Sequence, residues 1–260
     1  MEKRLADRGQ GGLPGISLSG TALKWAGFLF VCLGSFGAAV IRRGFMGLGP
    51  DATAEAMYQA MSPEGGMMGP GTAAVLCSLT SMLAIPIYVH FLCEGFRNTK
   101  DVRRYVIRLA LCALVSEIPY DFAMSGRLFD FSAQNPVWAL GLGAMMLGFC
   151  RMWKAKPGAG GIVFRAVVVC AAILWALLLR VHMGALLILL ITLFHFARRN
   201  KPVFYILGIG LTSVQFPAPL GLMFVNWHDG TPAGGPKRLF YILYPVQLLL
   251  FGALAMFVAA

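Results

Sequence analysis

Two carboxylates, Glu117 and Asp121, stand four residues apart in an apolar stretch, a spacing that places both side chains on one helix face. Such a pair can bind a cation, share a proton or act as acid and base. Pro119 lies between them and removes a helical hydrogen bond, so we expect a kink lining a wet pocket. The alternative is structural ion pairing, and the sequence favours neither. The arginines available for it are Arg42, Arg43, Arg127 and Arg180.

His90 and Glu94 repeat this four-residue spacing near the end of another apolar run. An ionisable group at the centre of a bilayer costs at least about 2.5–3.5 kcal/mol, so it usually faces a partner or a cavity. Glu94 is predicted to form an ion pair, which would clamp two helices together. Its candidate partners are Arg97 and the cluster Arg103, Arg104 and Arg108. A role in holding a substrate or cofactor is the alternative.

The remaining metal-binding residue types show no ligand spacing. His182 and His195 lie at opposite ends of one predicted helix, about 20 Å apart at 1.5 Å per residue, so they cannot act together. All six cysteines fall within apolar stretches without a CxxC or Cys/His pattern. The sequence therefore predicts neither a disulfide framework nor a metal site.

The elements that position these residues are predicted to be membrane helices. The chain of 260 residues has a mean hydropathy of +0.72 and 13% charged residues, which indicates a polytopic membrane protein. Its apolar runs are continuous rather than alternating, so an all-α bundle is favoured over a barrel. Arg180 and His182 interrupt one run and predict a tight turn. About eight spans are predicted, at 21–41, 73–95, 104–124, 134–153, 162–180, 181–197, 202–222 and 239–258.

Charge distribution predicts the orientation. The net charge is +11, but most of the 22 lysines and arginines fall on one side if the N-terminus is cytoplasmic. This agrees with the positive-inside rule and predicts that both termini are cytoplasmic. The basic residues then encode orientation and contact with the lipid bilayer, and nucleic acid is not an expected partner.

The connecting segments divide the chain. Residues 1–20 are predicted to be a polar cytoplasmic segment, and 21–260 a single transmembrane domain with an extracytoplasmic loop at 44–72. Within that loop, residues 50–61 fit either a short helix with Asp51 as N-cap or an irregular loop. The sequence SAQN at 132–135, followed by Pro136, predicts the start of a helix.

Several motifs resemble those of the TraX family, integral membrane proteins related to F-type pilin acetylation. They are LKW at 23–25, LAIPIYVHFLCEGFRNTKDVRRYVIRLALCALVSEIPYDFAMSG at 83–126, QN at 134–135 and FYILYP at 240–245, in the family's order. The resemblance covers nearly the whole chain. It implies a protein of the bacterial cytoplasmic (inner) membrane that transfers an acyl group, with acetyl-CoA or another acyl-CoA as donor.

The chain departs from the family's pattern at three histidines. Gly34 and Ser35 replace an Asp-His pair, Ala133 replaces the His before QN, and Gln247 replaces the His after the YP motif. Acyl transfer needs a base near the acceptor, and imidazole is the side chain best matched to neutral pH. Loss of one general base typically removes about 10²–10⁴-fold of rate, so three losses leave little activity.

Two functions follow from the resemblance. In the first, the fold has lost transfer chemistry and acts as a binding or accessory subunit for a membrane protein partner or an amphiphilic ligand. The family positions that would then bind are Ser35, Glu117, Gln134, Asn135, Tyr244 and Gln247. We expect Ser35, Glu117, Asn135 and Gln247 to converge.

The second function is an active acyltransferase acting on an amine or hydroxyl acceptor. Its catalytic candidates are Glu117, Asp121 and His90, and the candidates for binding acyl-CoA are Glu94, Arg97, Arg103 and Arg104. A transporter is disfavoured, because no paired interrupted spans occur in matching halves of the chain.

Overall fold

The structure is a computed structural model that describes residues 17–152, 159–234 and 239–259. These residues form α-helices and one π-helix, with no strand among them beyond two isolated bridges, so the all-α prediction is confirmed. The helices are α1 Gly20–Phe36, α2 Ala54–Met61, α3 Met68–Met82, α4 Ala84–Asn98, α5 Val102–Ser125, α6 Val137–Met152, α7 Ala159–Leu178, α8 Gly184–Phe196, α9 Lys201–Ser213, α10 Ala218–Asn226 and α11 Leu239–Ala259, and the π-helix is Gly37–Phe45. Most of the predicted N-terminal segment 1–20 lies outside the described residues.

Four helical segments are long and apolar enough to cross a membrane, which takes about 20 residues. They are Gly20–Phe45, Met68–Asn98, Ala159–Leu178 and Leu239–Ala259. Helices α6 and α8 are apolar but shorter. Large apolar side chains such as Leu178, Ile206 and Phe257 are exposed on the outside of the bundle, as expected where helices face lipid.

The predicted seventh span, 202–222, is wrong as a single helix. It breaks into two helices, α9 and α10. They run antiparallel, since the start of α9 lies beside the end of α10, where the Tyr205 hydroxyl donates to Asn226 Oδ1 (2.6 Å). The start of α9 and the end of α10 therefore lie at the same end of the bundle. The two helices form a hairpin that enters the bundle and returns.

The first and last long helices run parallel. Phe240 at the start of α11 packs on Trp25 near the start of α1, and Gly44 at the end of the π-helix packs on Ala255 near the end of α11. This direction differs from the eight-span prediction, in which the first and last spans are antiparallel. The described end of α11 therefore lies beside the end of the π-helix, far from Gly20.

The predicted turn between the fifth and sixth spans is confirmed. Helix α7 ends at Leu178 and α8 begins at Gly184, with Arg180 and Met183 at φ values of 52° and 54° between them. Such positive φ values are uncommon for residues other than glycine and reverse the chain within a few residues.

The bundle has two ends that differ in charge. One end, here called the basic end, holds residues 17–19, the turns at 99–101 and 197–200, and the loop that begins at Trp227. Its described basic residues are Lys24, Arg97, Lys100, Arg103, Arg104, Arg108, Arg151, Arg165, Arg198, Arg199 and Lys201. The opposite end, here called the acidic end, holds the loops 46–67 and 126–136 and the turn 179–183. Its acidic residues are Asp51, Glu55, Glu64, Glu117, Asp121 and Asp130.

The loop at the acidic end contains helix α2, so the helical interpretation of residues 50–61 is confirmed and the irregular one is wrong. Asp51 is not the N-cap. The hydroxyl of Thr53 accepts a hydrogen bond from the Ala56 N–H (3.1 Å) and caps the helix instead.

Arg43 fixes the helix ends at the acidic end. Its Nε donates to the Ala123 carbonyl (3.0 Å) near the end of α5, and Nη2 donates to the Gly252 carbonyl (3.2 Å) of α11. Next to these contacts Ala39, Ala123, Leu248 and Ala255 form a small buried core, separate from the larger core of α4, α5, α6 and α8. The small residues allow the close helix packing that is typical of membrane bundles.

Candidate functional site

Ser35 and Gln247, two predicted site residues, meet inside the bundle. Gln247 Nε2 donates to Ser35 Oγ over 3.3 Å, and the two residues are 6% and 8% exposed. Gln247 Oε1 is buried and has no hydrogen-bond partner among the described residues. The contact joins α1 to α11, so both side chains point into the protein rather than into lipid.

Glu117 and Asn135, two further predicted site residues, also meet. The fully buried Asn135 donates from its backbone N–H (3.3 Å) and from Nδ2 to the Glu117 carboxylate. Trp138 Nε1 donates to Glu117 Oε2 over 2.8 Å. The Glu117 carboxylate therefore holds the end of the 126–136 loop and the first turn of α6 against α5.

Asn135 also confirms the predicted helix start after SAQN. Its Oδ1 accepts from the Val137 N–H (3.0 Å), the first residue of α6, and its Nδ2 donates to the Ala113 carbonyl (2.9 Å). Every polar atom of this amide thus has a partner, which suits a residue of 0% exposure.

Asp121 is 4% exposed, and its Oδ2 accepts from the Asp130 N–H over 2.9 Å. Asp130 in turn lies in the loop, where the Ser132 N–H donates to its carboxylate and lowers its pKa. Of the two alternatives left open for Glu117 and Asp121, pairing with an arginine is wrong, because no described lysine or arginine forms an ion pair with either carboxylate. Both carboxylates accept from neutral N–H donors and position the loop.

The other two predicted substrate-binding residues, Gln134 and Tyr244, make contacts within the protein. The Gln134 N–H donates to the Arg180 carbonyl (3.0 Å) and its carbonyl accepts from the His182 N–H (3.0 Å), which joins the loop to the α7–α8 turn. Tyr244 packs against the small core. The four residues expected to converge thus form two pairs, on α1 with α11 and on α5 with α6, and a single cavity joining all four stays a prediction.

At the basic end, the predicted ion pair of Glu94 with an arginine is wrong among the described residues. Its nearest basic group is His90 Nε2, 3.8 Å from Glu94 Oε2. Arg104 pairs instead with Asp101 (Nε to Oδ2, 3.0 Å), and both side chains are largely exposed. Arg97 and Arg103 are exposed as well, and the binding of acyl-CoA by these residues stays a prediction.

His228 is a residue that the sequence did not indicate. The eight predicted spans place His228 after the seventh span, on the other side of the membrane from His90. The α9–α10 hairpin instead returns the chain to the basic end, where the two rings lie 5.2 Å apart. The break at 214–217, with Gln215 and Pro217, was the signal that the seventh apolar run does not cross.

His90, Glu94 and His228 form a cluster whose ligand atoms all lie within 4.8 Å of one another. His228 Nδ1 lies 3.3 Å from the Leu18 carbonyl oxygen, and His90 is 6% exposed. Two imidazoles and one carboxylate are a donor set that suits a transition metal. The sequence prediction of no metal site considered residues close in sequence, and this cluster depends on tertiary packing.

Comparison with known proteins gives one match. The family model described as TraX protein matches residues 19–255 of the chain. No curated protein and no solved structure shows significant similarity to it.

Proposed function

Because this chain belongs to the TraX protein family, we propose that it is a multi-pass membrane protein that has lost acyl-transfer chemistry and acts as a binding or accessory subunit. The observation that carries this proposal is the hydrogen bond between Ser35 and Gln247. These residues occupy two of the positions where the family resemblance implies histidines. Neither a serine hydroxyl nor an amide accepts a proton at neutral pH, so the pair cannot serve as a general base.

The third family position gives the same result, because Ala133 has no titratable group. Glu117 and Asp121, the remaining acidic candidates, are engaged by N–H groups of the loop and of α6. Their hydrogen bonds support a structural role at the acidic end. A fold that keeps its architecture without a base fits an accessory protein better than a catalyst.

A binding role is supported by Gln247 Oε1. A buried acceptor without a partner costs about 1–3 kcal/mol, so it is normally satisfied by a donor. The hydroxyl or amine of an amphiphilic ligand, with its alkyl chain among the apolar helices, would supply that donor. A side chain of a membrane protein partner is the other source of the same chemistry.

The proposed topology has seven crossings and one hairpin, with the basic end in the cytoplasm of a bacterial cell and the protein in the cytoplasmic membrane. Helices α1 and α11 are parallel, so the start of α1 and the end of α11 lie at opposite ends of the bundle. The chain between these two points therefore crosses the membrane an odd number of times. Helices α9 and α10 do not count as crossings, because the start of α9 and the end of α10 lie at the same end of the bundle. The excess of lysine and arginine at the basic end agrees with the positive-inside rule. The eight-span arrangement with both termini cytoplasmic fits this bundle less well.

An active acyltransferase using acyl-CoA is the second candidate. One observation favours it: His90 is a buried imidazole whose Nε2 has no hydrogen-bond partner within the described part of the chain, at the end of the bundle where a cytoplasmic donor would arrive. Glu94 lies beside it, and Arg97 is near enough to act on it electrostatically. His90 would then be the base.

Purified protein in nanodiscs, incubated with labelled acetyl-CoA and a panel of amines and alcohols, separates the two functions. The accessory proposal expects no transfer above that of empty nanodiscs. Transfer by the wild type that disappears in His90→Gln, with the Tm of that variant unchanged, would establish the enzyme and end the accessory proposal.

Binding is tested separately with alcohols and alkanes of matched chain length. Long-chain alcohols should raise the Tm of the wild type more than the matched alkanes, and Gln247→Leu should remove that difference. Equal effects of alcohols and alkanes on the wild type would contradict a role for Gln247 in binding a donor.

A further inference from the structure

Three groups with metal-ligand chemistry meet at the basic end of the bundle. His90 and Glu94 stand on one face of α4, one helical turn apart, and His228 follows the end of α10. One ligand atom from each lies within 4.8 Å of the other two. The hairpin of α9 and α10 is what brings His228 to α4, since α10 packs along α4 in the same direction.

Both imidazoles leave a buried nitrogen without a partner. His90 Nε2 and His228 Nε2 have no hydrogen-bond partner among the described residues, and the two side chains are 8% and 5% exposed. A neutral imidazole has one N–H donor and one lone-pair acceptor, and leaving either unpaired in the interior is unfavourable. Two such nitrogens near one carboxylate indicate a shared partner.

The backbone sets which nitrogen of His228 is free to act as a ligand. Its Nδ1 lies 3.3 Å from the Leu18 carbonyl oxygen, which can only accept, so Nδ1 carries the proton and donates. The lone pair then lies on Nε2, the atom without a partner. A metal-binding histidine typically donates its other ring N–H to a carbonyl or carboxylate in this way.

A direct contact within the cluster does not satisfy these groups. His90 Nε2 and Glu94 Oε2 are 3.8 Å apart, longer than a hydrogen bond. Ligands bonded at about 2.0–2.1 Å to a tetrahedral ion lie roughly 3.3 Å from one another. Closing the cluster from its present spacing therefore requires side-chain shifts of about an ångström, which χ rotations of a glutamate on a helix surface allow.

We propose that His90, Glu94 and His228 form a binding site for a divalent transition metal, with zinc as the expected ion. Two imidazoles and a carboxylate suit zinc and its neighbours, whereas magnesium and calcium prefer oxygen ligands alone. Three protein ligands leave the fourth position of a tetrahedral ion open. The proposal does not depend on whether the protein transfers acyl groups.

Nearby charge selects the fourth ligand. Glu94 neutralises one of the two charges of the ion, and Arg97 and Arg198 lie near enough to act electrostatically on His90. The remaining positive charge favours an anion, such as hydroxide or a carboxylate, over neutral water as the fourth ligand. The bound ion would also tie α4 to the chain before α1, through the contact of His228 with Leu18.

The test uses the full chain, purified in detergent and stripped of metal with a chelator. Zinc titration by calorimetry should give one ion per chain, and cobalt should give the visible absorption of a tetrahedral site. His90→Gln, Glu94→Gln and His228→Gln should each weaken zinc binding at least tenfold. Magnesium and calcium should not compete.

The matched control is His195→Gln. His195 is another histidine near the basic end, and its buried Nδ1 has no hydrogen-bond partner among the residues that the structure describes, but it lies outside the cluster and packs on Phe96. The His195→Gln variant should bind zinc as tightly as the wild type does. No stoichiometric zinc binding, or equal binding by wild type and His228→Gln, would overturn the proposal. His228 lies in a loop, so its substitution remains informative if a change in α4 prevents folding.

Discussion

The side-chain amide of Gln247 donates a hydrogen bond to the Ser35 hydroxyl over 3.3 Å, between two helices that run in the same direction through the bundle. In a buried site this neutral contact fastens α1 to α11. Under the proposed function, the same two residues stand where the family resemblance implies histidines, and neither side chain is a general base at neutral pH.

Ser35→Ala should destabilise the protein by about 1–3 kcal/mol, because Gln247 Nε2 would remain buried without a partner. The double variant Ser35→Ala/Gln247→Leu should lose less than the sum of the single variants, since it removes both ends of the contact. Thermal unfolding in a fixed detergent measures the three differences. Additive losses would show that the two side chains do not interact.

Glu117→Gln should lower stability by about 1.5–3 kcal/mol, the range for a hydrogen bond to a charged group. The amide offers one acceptor oxygen where the carboxylate offers two, and its NH₂ group would face the donors of Asn135 and Trp138. Glu64→Gln is the matched control, because Glu64 is an exposed acid in the loop at the same end. Equal Tm values for the two variants would contradict the structural role of Glu117.

Cysteine labelling with a membrane-impermeant maleimide tests the topology in intact cells. Pro232→Cys, in the loop after the hairpin, should be protected in intact cells and react after lysis, as Lys100→Cys does at the same end. Glu64→Cys at the acidic end should react in intact cells. Native cysteines set the background, measured on the wild-type chain. Labelling of Pro232→Cys from outside would restore the eight-span arrangement.

The helix class and several boundaries follow from hydropathy, because a continuous apolar run has few other structures in a membrane. The turn at Arg180 also follows, since charge and polarity interrupt the run there. The hairpin could not be predicted from hydropathy. Residues 202–222 remain apolar across the turn, and hydropathy does not distinguish a helix that crosses the membrane from a hairpin that returns. A prediction weighing Pro217 and Gln215 more heavily would have found the break.

The candidate site was predictable in part. Family motifs pointed to Ser35 and Gln247, and the structure places them in contact. The partners of Glu94 were wrongly predicted. Two residues on one helix face can still point in different directions, and the Arg97 side chain is exposed to solvent. The approach of His228 to His90 depends on the hairpin, so no local pattern contains it.

Gly44→Ala should destabilise the packing of the π-helix on α11. A Cβ at Gly44 would lie 2.9 Å from the Ala255 carbonyl oxygen and 3.0 Å from its Cα, and neither backbone atom can rotate away. Overpacking of this kind typically costs about 1–3 kcal/mol. The matched control is Gly160→Ala in the first turn of α7, where a Cβ meets no neighbouring atom of the described residues within 4 Å.

Because alanine favours a helix over glycine by up to about 1 kcal/mol, Gly160→Ala should keep or raise the Tm while Gly44→Ala lowers it. Thermal unfolding in the same detergent measures both variants. If Gly44→Ala were as stable as Gly160→Ala, the close parallel approach of the two helices would be wrong, and with it the argument for an odd number of crossings.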